Sequence, residues 1–186
     1  MSARDALLDA YQAILQEAGE RATTLTAVAA RAGVSKGGLL YHFSSKEALA
    51  EGLIARLDQL VEEDLLRMRA APDGPSRYYV RTSVWTGDPL ATAIVATAQL
   101  AQESHAAAQE AMLRARRQWF ALILDEAGEE ATAQAILLLG DGLYFEAAMG
   151  YDTYSPDAPD QPADPGTITP EKLLPIVDRL LRAAGG

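Results

Sequence analysis

Apolar residues along this chain recur three and four positions apart almost from end to end, the period of a helix with one buried face, and no stretch alternates in the two-residue period of a strand. Leu7, Tyr11, Ile14 and Ala18 share a face and predict a first helix over about Arg4 to Ala18, stopped by Gly19. Thr24 then precedes an alanine-rich stretch in which Val28, Ala29 and Ala32 lie at helical spacing, so Thr24 is read as its N-cap. Gly33 supplies the left-handed turn, and Ser35 caps a short helix from Lys36 to Phe43. Leu39 and Phe43 point inward, which leaves Lys36, Gly37, Leu40 and Tyr41 outside and His42 at the edge. Ser44 to Glu47 reads as a capping box, Ser44 being the N-cap and Glu47 the third helical position, for a helix from near Lys46 to about Arg69 striped by Leu49, Leu53, Leu57 and Leu60.

Pro72, Gly74 and Pro75 break the pattern, which resumes at about Ser76 to Trp85, Pro89 to Ser104, Ala106 to Ala127 and Glu129 to Met149. Gly150 to Thr169, with Pro156, Pro159, Pro162 and Pro165, is too polar to bury and is expected to be a mobile loop. Thr169-Pro170-Glu171 opens the last helix, and Pro175 should kink it or mark its true beginning. The expected fold is all-α: a three-helix head over residues 1–48, joined by the long helix to a helical body over 49–186.

Two short helices joined through one glycine suit a helix-turn-helix, which places its second helix in the major groove of DNA. Lys46 in a first helical turn opposes the helix dipole unless an anion approaches that end, and a DNA phosphate is the expected anion. Base reading looks sparse, because the second helix has no Asn, Gln or Arg, the usual bidentate readers. Adjacent Gly37 and Gly38 cost a helix on the order of 1 kcal/mol each relative to Ala, which close backbone approach to DNA would justify.

At the residues Ala-Gly-Val-Ser, Tyr-x-Phe and Lys-Glu-x-Leu, within the first quarter of its length, the chain resembles the tetracycline-repressor (TetR) family of bacterial regulators. That resemblance implies an all-helical homodimer whose body holds a small ligand that releases DNA. It also implies DNA contacts at Thr24, Thr26, Ser35, Lys36, Gly37, Gly38, Tyr41, His42 and Lys46. One position departs: Leu40 stands where many members carry a tyrosine whose hydroxyl touches phosphate.

Charge at first argues against DNA, since the 186 residues carry a net charge of −10. Residues 1–56 are neutral, however, with six basic and six acidic side chains, so the acid belongs to the body and leaves Arg21, Arg31, Lys36 and Lys46 to meet phosphate locally. The chain has neither cysteine nor asparagine, which removes disulfides, Cys-based metal clusters and glycosylation sequons. With only His42 and His105 and no metal-ligand spacing, no metal or other cofactor is expected. The N-terminus lacks a signal-peptide core and no stretch is long and clean enough to cross a membrane, so a soluble cytoplasmic protein is expected.

In the body, Tyr79, Trp85, Met112, Trp119, Phe120, Tyr144 and Phe145 are candidate walls for a flat, lipophilic ligand, against the ordinary alternative of core packing. Asp141 and Glu146 lie in an apolar run and need partners: a cationic or hydroxylated ligand, the partner subunit, or Arg114, Arg116 or Arg117. Gly140 and Gly142 permit close helix approach, and the last helix is more apolar than a solvated end requires, so Gly140, Leu173, Ile176, Val177 and Leu180 are expected at a homodimer interface. Two heads would then meet successive major grooves roughly 34 to 36 Å apart on a pseudo-palindromic operator. The expected function is therefore ligand-responsive transcriptional repression, without catalysis.

Two other classes fit the residues less well. Gly33-Val34-Ser35-Lys36-Gly37 matches the G-x-S-x-G nucleophile elbow of serine hydrolases, but an elbow needs a strand before its serine and AVAARA reads as helix. A helical protein-interaction adaptor would not call for outward Lys36 and Lys46 beside Tyr41 and His42.

Overall fold

The computed structural model describes residues 2–84, 87–103, 105–148 and 168–185. Trp85, the end of the helix expected to reach Met149, and the expected proline-rich loop up to residue 167 lie outside the described residues. Among the described residues the helices are α1 (Ala3–Ala18), α2 (Leu25–Arg31), α3 (Lys36–His42), α4 (Lys46–Arg69), α5 (Pro75–Thr82), α6 (Pro89–Gln102), α7 (Ala106–Ala127), α8 (Glu130–Ala148) and α9 (Pro170–Ala184), with one 3-10 turn at Glu20–Ala22 and no strand. The all-α expectation holds, because the period of the apolar stripes decides which face each segment can bury.

Contacts group the chain into two compact units, one of Met1–Val61 with Pro89–Ala115 and the other of Glu62–Asp88 with Arg116–Gly186. In the first, α1 packs on α2 and α6, and α2 on α3. Its core is built from Leu7, Leu8, Tyr11, Leu15, Val28, Leu39, Phe43, Leu49 and Leu53, all buried. Each such leucine stabilises by roughly 1.5–3 kcal/mol relative to exposure. α1 starts with a capping box, Ser2 accepting from the Asp5 N–H at 3.1 Å while the Asp5 carboxylate accepts from the Ser2 N–H at 3.1 Å. Arg56 of α4 reaches back to α1, donating to Asp9 at 2.5 Å and to the buried Gln12 side chain at 2.6 Å.

In the second unit α5 packs on α8 and α9, and α8 on α9. The N-terminus of α5 has no capping side chain of its own; the Glu126 carboxylate of α7 accepts the Ser76 N–H at 2.7 Å instead. Asp64 is a buried acid with two partners, accepting from the Tyr78 hydroxyl at 2.8 Å and from the Trp119 indole N–H at 3.0 Å. α9 begins at Pro170 behind Thr169, whose side chain makes no capping bond, and Pro175 lies inside the helix rather than at its start.

Candidate nucleic-acid interface

The head follows its caps. Thr24 Oγ1 accepts the Ala27 N–H at 3.1 Å and opens α2, which ends before Gly33 at φ 68°, a conformation an L side chain adopts only with strain. Ser35 Oγ accepts the Gly38 N–H at 3.0 Å and opens α3. Leu39 and Phe43 are buried, with the Arg4 guanidinium 5.2 Å from the centre of the Phe43 ring. α3 is thereby held with its opposite side outward: Lys36, Gly37 and His42 are exposed, Leu40 is half in solvent, and Tyr41 is 86% exposed. The Tyr41 and His42 rings meet edge to face at 5.1 Å. Thr24, Thr26 and Ser35 are exposed too, so seven of the nine expected contacts present surface, and Gly38 and Lys46 are half-buried.

Two details differ from the sequence reading. The N-cap of α4 is Ser45, whose Oγ accepts the Ala48 N–H at 3.1 Å, and not Ser44; one residue of shift puts Glu47 in the second helical position, out of reach of a capping box. The Glu47 carboxylate lies instead 3.0 Å from His105 Nε2. Two of the basic groups expected to meet phosphate are already engaged. Arg31 pairs with Glu17 at 2.5 and 2.6 Å and holds that carboxyl below its usual range, and Lys46 Nζ lies 2.6 Å from the Glu20 carboxylate. Lys36 and Arg21 have no ion-pair partner among the described residues.

Gly37 and Gly38 have no internal reason to be glycine. A β-carbon at 37 would meet only Ser35 Oγ, at 3.9 Å, and one at 38 would make ordinary contact with Ser35 and Val34, at 3.4 and 3.9 Å. Gly52 is different, because a β-carbon there would fall 2.7 Å from the Phe43 ring. The hydrolase elbow loses its scaffold: Ser35 follows a helix and its Oγ caps α3.

Among the candidate ligand residues, Tyr79 and Trp119 are brought together. Tyr79 and Trp119 are buried against each other, ring centres 5.9 Å apart, and both polar ends are satisfied, Trp119 by Asp64 and Tyr79 by Asp141 at 2.9 Å. Burial, with the Asp141 charge behind it, raises the Tyr79 hydroxyl well above its ordinary value; burial likewise raises Tyr144. Asp141 also takes Arg116, through Nε at 3.1 Å and Nη2 at 2.9 Å, while Arg114 pairs with Asp58. Phe120, Tyr144 and Glu146 are half-buried, Met112 belongs to the first unit, and Phe145 is 63% exposed on the surface of α8. Trp85 lies outside the described residues.

Among the expected interface positions, Val177 is fully buried within its own chain, so it has no surface to offer a partner. Gly140 is buried as well, its close approach being to Tyr79. Leu173, Ile176 and Leu180 keep partial exposure, and Leu138, Gly142 and Phe145 present an exposed row on α8 at spacings of four and three. Asp64 was legible but missed: it falls in register with Leu57, Val61 and Met68 on the buried face of α4.

A helix-turn-helix of this geometry at the start of an all-helical chain defines a DNA-binding regulator class. Residues 7–53 match the bacterial regulatory proteins of the tetR family, and residues 73–161 match the tetracyclin repressor-like C-terminal domain. The chain belongs to the TetR family of bacterial transcriptional regulators. It is 30% identical over 77 residues to the HTH-type transcriptional repressor BepR of Brucella suis biovar 1 (strain 1330), a match covering 41% of this chain and 36% of that protein. Similar solved structures include a TetR family member from Streptomyces coelicolor A3, at 20% identity and TM-score 0.64 over 97% of this chain and 98% of that one. A transcriptional regulator from Rhodococcus sp. Rha1 is similar at 19% identity and TM-score 0.63, over 98% and 96%. The multidrug binding protein EbrR complexed with malachite green is similar at 20% identity and TM-score 0.65, over 95% and 96%. No helix among the described residues is long and apolar enough to cross a membrane.

Proposed function

We propose that this regulator is a ligand-responsive repressor that binds a pseudo-palindromic operator as a homodimer and leaves it when a small lipophilic effector binds the body. The observation that carries the DNA reading is the pair Gly37 and Gly38, which the fold itself does not require in a seven-residue helix where each weakens the helix by about 1 kcal/mol. A phosphate or base edge lying against that backbone needs the missing β-carbons. Thr24, Thr26, Ser35, Lys36, Tyr41 and His42 surround the contact, and Lys46 joins it by exchanging Glu20 for phosphate. Operator choice leans on DNA shape and half-site spacing, because α3 carries few base readers.

Two copies meet through the exposed row Leu138, Gly142 and Phe145 of α8 together with Leu173, Ile176 and Leu180 of α9. The head over 1–48 acts as the reader and 49–186 as sensor and dimer body. The effector class is a lipophilic cation, supported by the likeness to EbrR, described with malachite green and with ethidium, and by the acidic body.

Footprinting on the DNA flanking the protein's own gene, repeated with malachite green, ethidium and neutral and acidic compounds of similar size, tests the proposal. A protected two-fold site that is lost with a cation supports it. Absence of any preferred duplex at low salt, without effector, overturns it.

A further inference from the structure

The first unit contains a cavity of about 350 Å³ bounded by α1, the Glu20 turn, the start of α4, Leu100 and Glu103 at the end of α6, and His105 ahead of α7. Its walls carry Tyr11, Glu20, Lys46, Glu47, Glu103 and His105. Tyr11 is fully buried, yet its hydroxyl has no hydrogen-bond partner among the described residues. Such a group costs stability unless something answers it, and native chains rarely leave one without a reason. Tyr11 lines the same cavity as Glu20 and Glu47, and burial, followed by these two carboxylates, raises the ionisation of its hydroxyl.

The charge around the void is one-sided. Lys46 is held by Glu20, through the carboxylate at 2.6 Å and the backbone carbonyl at 2.5 Å. His105 Nδ1 accepts the Ala108 N–H at 3.3 Å, and its Nε2 lies 3.0 Å from the Glu47 carboxylate. Three carboxylates therefore share the cavity with one ammonium and one imidazole. A metal ion does not fit, since no group of three His or acidic side chains stands at ligand spacing among the described residues. Ala50 and Leu100 give the cavity an apolar floor, and its volume lies at the small end for organic ligands.

We propose that this cavity binds a small organic cation, an amidinium or amine on a compact apolar body, whose N–H groups donate to the Tyr11 hydroxyl oxygen and to the Glu20, Glu47 and Glu103 carboxylates. The regulatory consequence rests on the DNA reading above: a cation that takes over Glu20 leaves the Lys46 ammonium to phosphate, so occupancy here tightens DNA binding, opposite in sign to the releasing effector proposed above.

Isothermal titration of the full-length protein with benzamidine, and with benzoate as the same shape of opposite charge, tests the site without DNA. One saturable benzamidine per chain is expected, with benzoate silent and with Tyr11→Phe and Glu103→Gln each weakening binding by about tenfold. Tyr11→Phe removes a hydroxyl that holds nothing, so its unfolding midpoint should not fall, which separates lost binding from lost structure. No saturation up to about 10 mM at low salt, equal binding of benzoate, or binding indifferent to both substitutions overturns the site. Operator affinity measured with and without benzamidine then tests the consequence alone: unchanged affinity with intact binding overturns the coupling, and no operator binding under either condition counts against the DNA reading and leaves the site standing.

Discussion

The Tyr79 hydroxyl donates to Asp141 at 2.9 Å, and the other Asp141 oxygen is taken by Arg116, so a carboxylate inside an apolar helix is answered entirely within its own chain. Asp141→Ala leaves the buried Tyr79 hydroxyl without an acceptor and should cost about 1–3 kcal/mol, most of it from that hydroxyl, since the ion pair itself is partly solvated. Asp141→Asn keeps an acceptor and should cost less. Urea unfolding of both variants measures the difference, and equal losses would mean that the charge, not the Tyr79 bond, is what matters. Effector affinity should not move beyond what stability explains.

Gly140 and Gly142 look alike in sequence and should behave oppositely. A β-carbon at 140 would fall 2.3 Å from Tyr79 Cε1 and 2.7 Å from Ser83 Oγ, whereas one at 142 meets nothing within 4 Å. Gly140→Ala should destabilise by about 1–3 kcal/mol through overpacking, despite better helix propensity. Gly142→Ala should be neutral or stabilise by up to about 1 kcal/mol in dilute protein. Thermal unfolding of the two variants side by side reads the contrast directly.

The head was more legible than the body for a physical reason. Caps and turns are local, so Thr24, Gly33 and Ser35 declare their roles from neighbours three residues away, and their bonds to Ala27 and Gly38 follow. Even there a one-residue ambiguity between Ser44 and Ser45 was enough to misplace the α4 cap, because both are adjacent serines before the same apolar stripe. The body depends on contacts tens of residues apart. Nothing near Asp64 in sequence names Tyr78 and Trp119 as its partners, and nothing near Glu47 names His105. Val177 and Leu180 are equally apolar in sequence, and only packing decides that the first is core.

Gly37→Ala should separate DNA binding from folding. The position has room for a methyl group, so the variant should be as stable as the parent or more so, by up to about 1 kcal/mol. Operator affinity should nonetheless fall by at least about tenfold if backbone lies against DNA at that point. A gel-shift titration beside a thermal melt makes the comparison, and unchanged affinity would leave the glycine without a DNA role.

Glu129 gives the fold one defined response to acid. Its carboxylate accepts the Ala131 N–H at 2.9 Å and the Thr132 N–H at 2.6 Å at the start of α8, and the bonds at Thr132, then that at Ala131, lower its ionisation below the ordinary glutamate value. A depressed folded-state value means the contribution is complete above the unfolded glutamate range and disappears as pH falls through the folded one. The melting-temperature gap between parent and Glu129→Gln should therefore be steady near pH 7 and close progressively below about pH 4.5. A gap that persisted into strong acid would show that the side chain stabilises by packing rather than by its charge.

Dimerisation can be tested on α9 because its apolar residues divide between two jobs. Val177 is buried in the chain, so Val177→Ala should destabilise each subunit, by on the order of 1 kcal/mol or more, without acting on association directly. Leu173 and Leu180 lie two turns apart and keep partial exposure, so they share a stripe that a second copy can cover. Leu173→Glu with Leu180→Glu sets four like charges against one another in a two-fold interface and leaves most of the chain's own core untouched. Sedimentation at micromolar concentration should give a dimer for the parent and for Val177→Ala, and a folded, helical monomer for the double variant. A parent that sediments as a monomer removes the interface. A double variant that stays dimeric moves the contact to the α8 row of Leu138, Gly142 and Phe145, where Phe145→Glu is the corresponding test.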